Sequence, residues 1–499
     1  MKNHLFPIEE AENDLLKAAV FLAESISSSD GHAEAVKELV DEFLSVNDVD
    51  NAAALADTVE DPFVRDRLLV RVVDKCAEID DDEYALQLTE AIEHTDFQAV
   101  ARERLAIRKA MIGEFEKSLE FADALAHSSD ALAVLAARQA AKGLEEEAAQ
   151  TIERIDFPPA KVHAYLSIAA HHESEGGREK ALAALDNAFS VARELEVVEE
   201  RIRAFQDVAA HFSALSVNDR AIEALTEAQN LTETLDGAHR DAIFSSIALG
   251  FLRAGSLDLA ERVLDLIADK VQIASTLAGY AQHFDENGEH EDALETLEEA
   301  YQILKSQSDR EVRNSRERFD LLAEIAALFA RFGKYERALE VAAENPFELA
   351  RHTALRKISL ECAVKGNDEA VREALNLIAD ESQRTFTLIE LADVMHRGKR
   401  SEDALKYLEE ARAAALNVPQ LPSRSTALNH LIERFAIGGK TETAREIATE
   451  NLQTITLIRD ESARAVSLLH LANVFKKRNY EVSDEERKIL QTMMRKTAW

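Results

Sequence analysis

Apolar residues recur along this chain every three or four positions, in runs broken by short polar turns. That is the spacing of amphipathic helices rather than strands. The clearest unit is LLAEIAALFARFGKYERALEVAAENP, residues 321–346. Its apolar stripe continues to Phe329, Gly333 interrupts, and a second amphipathic run begins. A helix that ends in a tight reversal favours glycine, which reaches positive φ without a steric penalty. Ala326 stands seven residues before the glycine and Ala338 five after it. Two antiparallel helices joined by so short a turn cross closely, and small residues are needed where they do.

This pair of small residues, twelve apart, recurs along the chain. The second-helix member falls at Ala52, Ala85, Ser118, Ala148, Ala181, Ala221, Ala260, Ala293, Ala338, Val371, Ala404 and Ala444. The first-helix member is Ala106, Ala136, Ala169, Ala209, Ala248, Ala281, Ala326, Ser359 or Ala392. Eight turns carry a glycine: Gly113, Gly143, Gly176, Gly255, Gly288, Gly333, Gly366 and Gly439. More than half of the 15 glycines therefore serve one structural job.

The pattern resembles the tetratricopeptide repeat. In residues 205–228 the matching positions are Phe205, Val208, Ala209, Phe212, Ala221, Leu225 and Ala228. In residues 277–300 they are Leu277, Tyr280, Ala281, Phe284, Gly288, Ala293, Leu297 and Ala300. The early tryptophan of that family is replaced by Leu, Phe or Tyr, and its closing proline is mostly missing. The fold class expected is all-α, an α-solenoid of about twelve antiparallel helix-turn-helix TPR-like repeats with capping helices. HEAT-type repeats are the structural alternative, but they lack the glycine–alanine turn spacing. Residues 1–32 are expected to hold an N-terminal capping helix, within which 11–27 reads as a lone helix. Residues 33–475 form the solenoid and 476–499 a C-terminal cap. SDEERKILQTMMRKT, residues 483–497, opens with a capping box of Ser483 and Glu486.

Repeat spacing is irregular, running 33, 33, 30, 33, 40, 39, 33, 45, 33, 33 and 40 residues. Seven extra residues are close to two helical turns, so the buried face returns to register while the second helix grows by about 10 Å. Elongated second helices are expected around 181–200, 221–236, 293–312 and 404–418.

Composition adds exclusions. Ninety-four acidic against 58 basic residues give a net charge of −36. A surface this negative repels phosphate backbones and anionic lipid, so neither nucleic acid nor membrane is an expected partner. No apolar run reaches the roughly 20 residues of a membrane span, and residues 1–16 carry acids where a signal peptide needs an apolar stretch. Cys76 and Cys362 lie too far apart for a local disulfide framework, and a cytoplasmic location is expected.

Candidate chemistry is sparse. Cys76, Cys362 and His172 share one repeat position, an aromatic packing slot, and read as core residues. Phosphate-loop, GxSxG, HExxH and CxxC motifs are missing, so the chain is expected not to be an enzyme and to need no cofactor or metal. In the family it resembles, first helices line a concave groove. That resemblance implies partner contact through Leu166, Ala170, Ala210, Leu249 and Leu252, with Arg253, Arg331, Arg356 and Arg397 toward one end. Tight curvature alone also demands small residues there. The function expected is a scaffold or adaptor that binds a protein or peptide. The alternatives are a sensor whose superhelix responds to a peptide or small ligand and, third, an enzyme.

Overall fold

The computed structural model describes residues 4–235, 237–307 and 315–497, and among these it contains 28 helices and no strand. Some 80% of the described residues are helical, well above the third usual for globular proteins. The helices divide into two compact units, one of Met1–Ala101 with Leu355–Trp499 and the other of Arg102–Ala354.

One local rule builds both units. Seven residues after each first-helix small position the backbone turns left-handed. Thirteen residues adopt this conformation in series: Asn47, Asp80, Gly113, Gly143, Gly176, Ser216, Gly255, Gly288, Gly333, Gly366, Lys399, Gly439 and Asn479. Eight of them are the glycines of the sequence pattern. The other five, at φ 52–68°, take the same turn with a side chain attached. At Gly333 the geometry is a Schellman cap: its N–H donates to the Ala330 carbonyl at 2.9 Å and that of Lys334 to Phe329 at 2.8 Å. A Cβ on Gly333 would meet nothing within 4 Å, so positive φ rather than space selects glycine there.

The small positions lie where the helices cross, and all are buried. Ser118 keeps the pattern because its hydroxyl donates across the hairpin to the Ala106 carbonyl at 2.8 Å. Asp66 and Asp241 fasten successive repeats. Each carboxylate sits early in a first helix and accepts two backbone N–H bonds from the loop before the next, Glu93 and His94 in one case and Ala268 and Asp269 in the other.

Second helices come in two lengths, as the spacing predicts. Arg178–Glu194, Asn218–Thr232, His290–Ser306 and Ser401–Ala415 have 15–17 residues. Val49–Ala56, Glu145–Glu153 and Leu257–Leu264 have 8 or 9. Thr441–Thr456, at 16 residues, is a fifth long one. Positions 308–312 of the third expected long helix lie outside the described residues.

Residues 11–27 do not stand alone. The helix Leu15–Ser25 packs lengthwise on Glu461–Arg478 in the same unit. Its apolar side chains from Ala18 to Ala23, together with Ile26, are all buried. Glu461–Arg478 is a first helix by every mark, with Leu468, Leu471, Ala472 and Phe475 at the packing positions and left-handed Asn479 at its end. The chain then runs outward into Asp484–Thr497, and the second-helix place is taken by Leu15–Ser25. A thirteenth repeat is thus assembled from the two extremes of the sequence. The physical reason is an excess of apolar surface: in Leu-Leu-Lys-Ala-Ala-Val-Phe-Leu-Ala only Lys17 is polar, and it pairs with Glu10.

Asp484–Thr497 packs against both Leu15–Ser25 and Thr441–Thr456. Its capping box forms: the Ser483 N–H donates to Glu486 at 2.8 Å and the Glu486 N–H to the Ser483 hydroxyl at 3.3 Å. Glu486 is fully buried, and its carboxylate also accepts from Arg445 at 2.9 Å and from Thr449 at 3.0 Å.

Candidate binding face

In the unit Arg102–Ala354, first helices stand side by side. Ser129–Ala141, Pro158–Ser174, Val198–Ala214, Ala238–Arg253 and Lys270–Glu286 each touch the next first helix as well as their own second helix. Three sides of each are therefore occupied, and one stripe stays open. It comprises positions six and two before the small residue and one and five after it. Spacings of four, three and four keep these on one helical face.

On Pro158–Ser174 the stripe carries His163, Ser167, Ala170 and Ser174. On Val198–Ala214 it carries Arg203, Asp207, Ala210 and Ala214, and on Ala238–Arg253 Ala242, Ser246, Leu249 and Arg253. Ala170, Ala210 and Arg253 are exposed, and Leu249 is half-buried. Leu249 lies across the neighbouring helix because Gly279 leaves room: a Cβ there would come within 2.7 Å of the leucine.

Leu166 and Leu252 do not lie on this face. They are 8% and 4% exposed, three before and four after the small position, and both are part of the core. Those positions look sideways into the neighbouring first helix. Thr276 and Ser245, at comparable sideways positions, are hydrogen-bonded across that contact at 2.7 Å. Arg331 stands near two acids, Asp285 at 3.8 Å and Glu286 at 3.6 Å. Arg356 and Arg397 belong to the other unit. There Arg356 is paired with Glu390 at 2.7 Å, while Arg397 is exposed and donates to the Asp393 carbonyl at 3.4 Å.

His163, Arg203 and Asp207 add polar and charged groups to the face beside the small residues expected there. Asp207 touches solvent, yet the helices crowding it withdraw enough water to raise its pKa, against the opposing pull of Arg203, His211 and His163. The stripe of four, three and four is the sequence signal that places all three there.

The second-helix surface is built differently. Arg193 bridges to Glu223 and Glu227 at 3.1 and 3.0 Å, and Arg220 to Asp186 at 2.7 Å over the Phe189 ring. Arg337 pairs with Glu298 at 2.7 Å. These acids are thus tied to arginines of a neighbouring repeat.

Elsewhere the packing slots behave as their register predicts. Burial raises the Cys76 and Cys362 thiols to about 12 and about 11, which removes thiolate reactivity at neutral pH. His172 is buried and its pKa lowered by desolvation, although Glu145 pulls the other way. In the unit that contains both chain extremes, a cavity of about 240 Å³ opens between Glu381–Arg397, Ser401–Ala415 and Leu421–Ile437. The Arg434–Asp393 pair, at 2.6 Å, lies along its wall.

Helix hairpins in a fixed register, closed by left-handed turns and stacked first helix to first helix, define a TPR-like α-solenoid. No family model matches the sequence, and no curated protein sequence matches it. Similar solved structures include Ton1535 from Thermococcus onnurineus NA1, at 17% identity over 71% of this chain and 98% of that one, with a TM-score of 0.26. Aspartyl phosphate phosphatase F from Bacillus subtilis matches at 11% identity over 78% and 94%, TM-score 0.27. Human IFIT1 matches at 13% over 71% and 90%, TM-score 0.23. No described helix is long and apolar enough to cross a membrane.

Proposed function

We propose that this protein is a binding scaffold, without catalytic activity of its own, that holds a partner peptide or helix on the first-helix face of the unit Arg102–Ala354. One observation carries the reading: the two faces of the unit differ in how far their polar groups are already satisfied. On the second helices, Asp186, Glu223, Glu227 and Glu298 are engaged in inter-repeat ion pairs. The first-helix stripe instead presents small side chains, Ser167, Ala170, Ala210 and Ser246, with Arg203, Asp207 and Arg253 between them. Small residues let a partner backbone approach closely, and isolated charges fix its register. The acidic balance of the chain favours a protein partner over nucleic acid, and its two buried thiols suit a reducing cytoplasm.

Photo-crosslinking residues placed at Ala170 and Ala210 of the full chain, in its native host, test this. Partner peptides should be recovered from both sites and not from Glu146 on a second helix. Recovery from Glu146 alone would move the binding surface to the second helices. Ala170→Glu with Ala210→Glu should abolish partner capture at unchanged helix content. Leu166→Glu or Leu252→Glu should instead unfold the repeat, since both are core residues.

A further inference from the structure

In twelve repeats a short turn holds the second helix against the first. In the thirteenth no turn joins the pair: Leu15–Ser25 packs on Glu461–Arg478, and Ile26–Ser28 links it to the next helix, Ser29–Ser45, whose His32 Nδ1 lies 2.9 Å from the Ala23 carbonyl. That following helix has its own anchors on the last first helix: Glu34 accepts from Ser462 at 2.9 Å, and Glu42 pairs with Lys476 at 3.1 Å. Ser29–Ser45 can therefore stay docked while the segment before the hinge moves. On the segment's own side, Glu12 lies 3.5 Å from Arg495. The junction is also incompletely filled. A cavity of about 230 Å³ lies between Asp14, Leu15 and Leu16 and the end of the last first helix, at Asn473, Lys476 and Tyr480.

We infer that the face of Glu461–Arg478 is a helix-docking site whose partner is a second copy of this chain, which supplies its own Leu15–Ser25 in reciprocal exchange. The chemistry of the site selects that occupant. A docking helix needs small residues at Ala19 and Ala23 and a branched one at Ile26, the register of a second helix. It must also be apolar over most of its circumference, because Asp484–Thr497 packs on it as well. A released segment would expose nearly all of its apolar surface to water, which disfavours simple opening. Exchange between two copies remakes every contact on both sides, so only the entropy of association and the state of the hinge decide between monomer and dimer.

The full chain with Ser27 and Ser28 deleted tests the inference, because one remaining hinge residue is too short to fold the helix back onto its own chain. Light scattering should report a dimer at micromolar concentration with native helix content, and Leu22→Asp in the same background should return it to monomer. A hinge-deleted monomer with native helix content, or a dimer that survives Leu22→Asp, overturns the inference. Should the deletion fail to fold, a protease site inserted at residue 27 of the otherwise intact chain replaces it. After cleavage of the folded protein, residues 1–27 should remain bound through size exclusion. A fluorescent peptide of residues 8–27 should then displace them, whereas its Leu22→Asp version should not. A cleaved protein that keeps its helices but neither retains the segment nor takes up the peptide sinks the proposal. So does one that keeps the segment and never exchanges it.

Discussion

Two neighbouring repeats in one unit reach the same geometry by different routes. Leu421–Ile437 and Thr441–Thr456 are joined by Gly438, Gly439 and Lys440, and the turn delivers the second helix to the first. Glu461–Arg478 and Leu15–Ser25 have no turn between them and more than 400 residues of chain separating them, yet they bury a matching seam. The pairing information is therefore in the helix faces. The turn raises the local concentration of the second helix and sets its entry angle, but it does not specify the partner.

The strongest way to break this comparison is to put a carboxylate in each seam, as Leu22→Asp in the split repeat and Ile447→Asp in the continuous one. Both side chains are buried. Losing such a side chain costs about 2–5 kcal/mol, and burying an unpaired charge adds to that. Thermal denaturation should show similar losses for the two variants. A mild Leu22→Asp beside a severe Ile447→Asp would mean that the split pair is decorative. Overpacking is a finer probe. Ala19→Leu and Ala444→Leu each push a larger side chain into a closed crossing, at about 1–3 kcal/mol. Denaturant midpoints should fall by like amounts.

The turns themselves should respond unequally. Gly439→Ala forces a β-carbon into the left-handed region, at about 1–2 kcal/mol. Asn479→Ala should cost less, because asparagine already bears part of that strain and the chain beyond it has no second helix to deliver. Equal losses would show that the outward path to Asp484–Thr497 is as constrained as a hairpin. The smallest effect lies away from both pairings and provides a baseline for them. Asp207 has a raised pKa in the fold, so its ionised form is disfavoured relative to the unfolded chain. That cost is present at neutral pH and disappears as pH falls through the raised pKa. Asp207→Asn should accordingly raise Tm slightly at pH 7, and the gain should vanish in acid.

Much of this was legible in the sequence, because turn glycines and crossing alanines answer to local sterics. Five left-handed turns were hidden at Asn47, Asp80, Ser216, Lys399 and Asn479, where the fold imposes the conformation on residues that do not advertise it. The role of Leu15–Ser25 was also encoded. Ala19 precedes Val40 by 21 residues, the interval from Ala52 to Val73 and from Val371 to Ala392, and Ile26 stands where Val59 and Ile378 do. What local pattern cannot announce is a partner more than 400 residues away. The binding face was read less well. Treating every position between packing residues as open ignored the neighbouring first helices, and so placed Leu166 and Leu252 outside the core.

The split repeat also has a consequence in time. Leu15–Ser25 leaves the ribosome before its partner helix, which begins 436 residues after Ser25. At elongation rates of about 5–20 residues per second, that is a wait of roughly 20–90 s. During it a mostly apolar helix has no docking surface, while hairpins made in between can close within milliseconds. Nascent chains of this protein should thus carry one persistent site for chaperones that recognise short apolar segments. Protection should fall on Leu15–Ser25 and lift only when Glu461–Arg478 emerges.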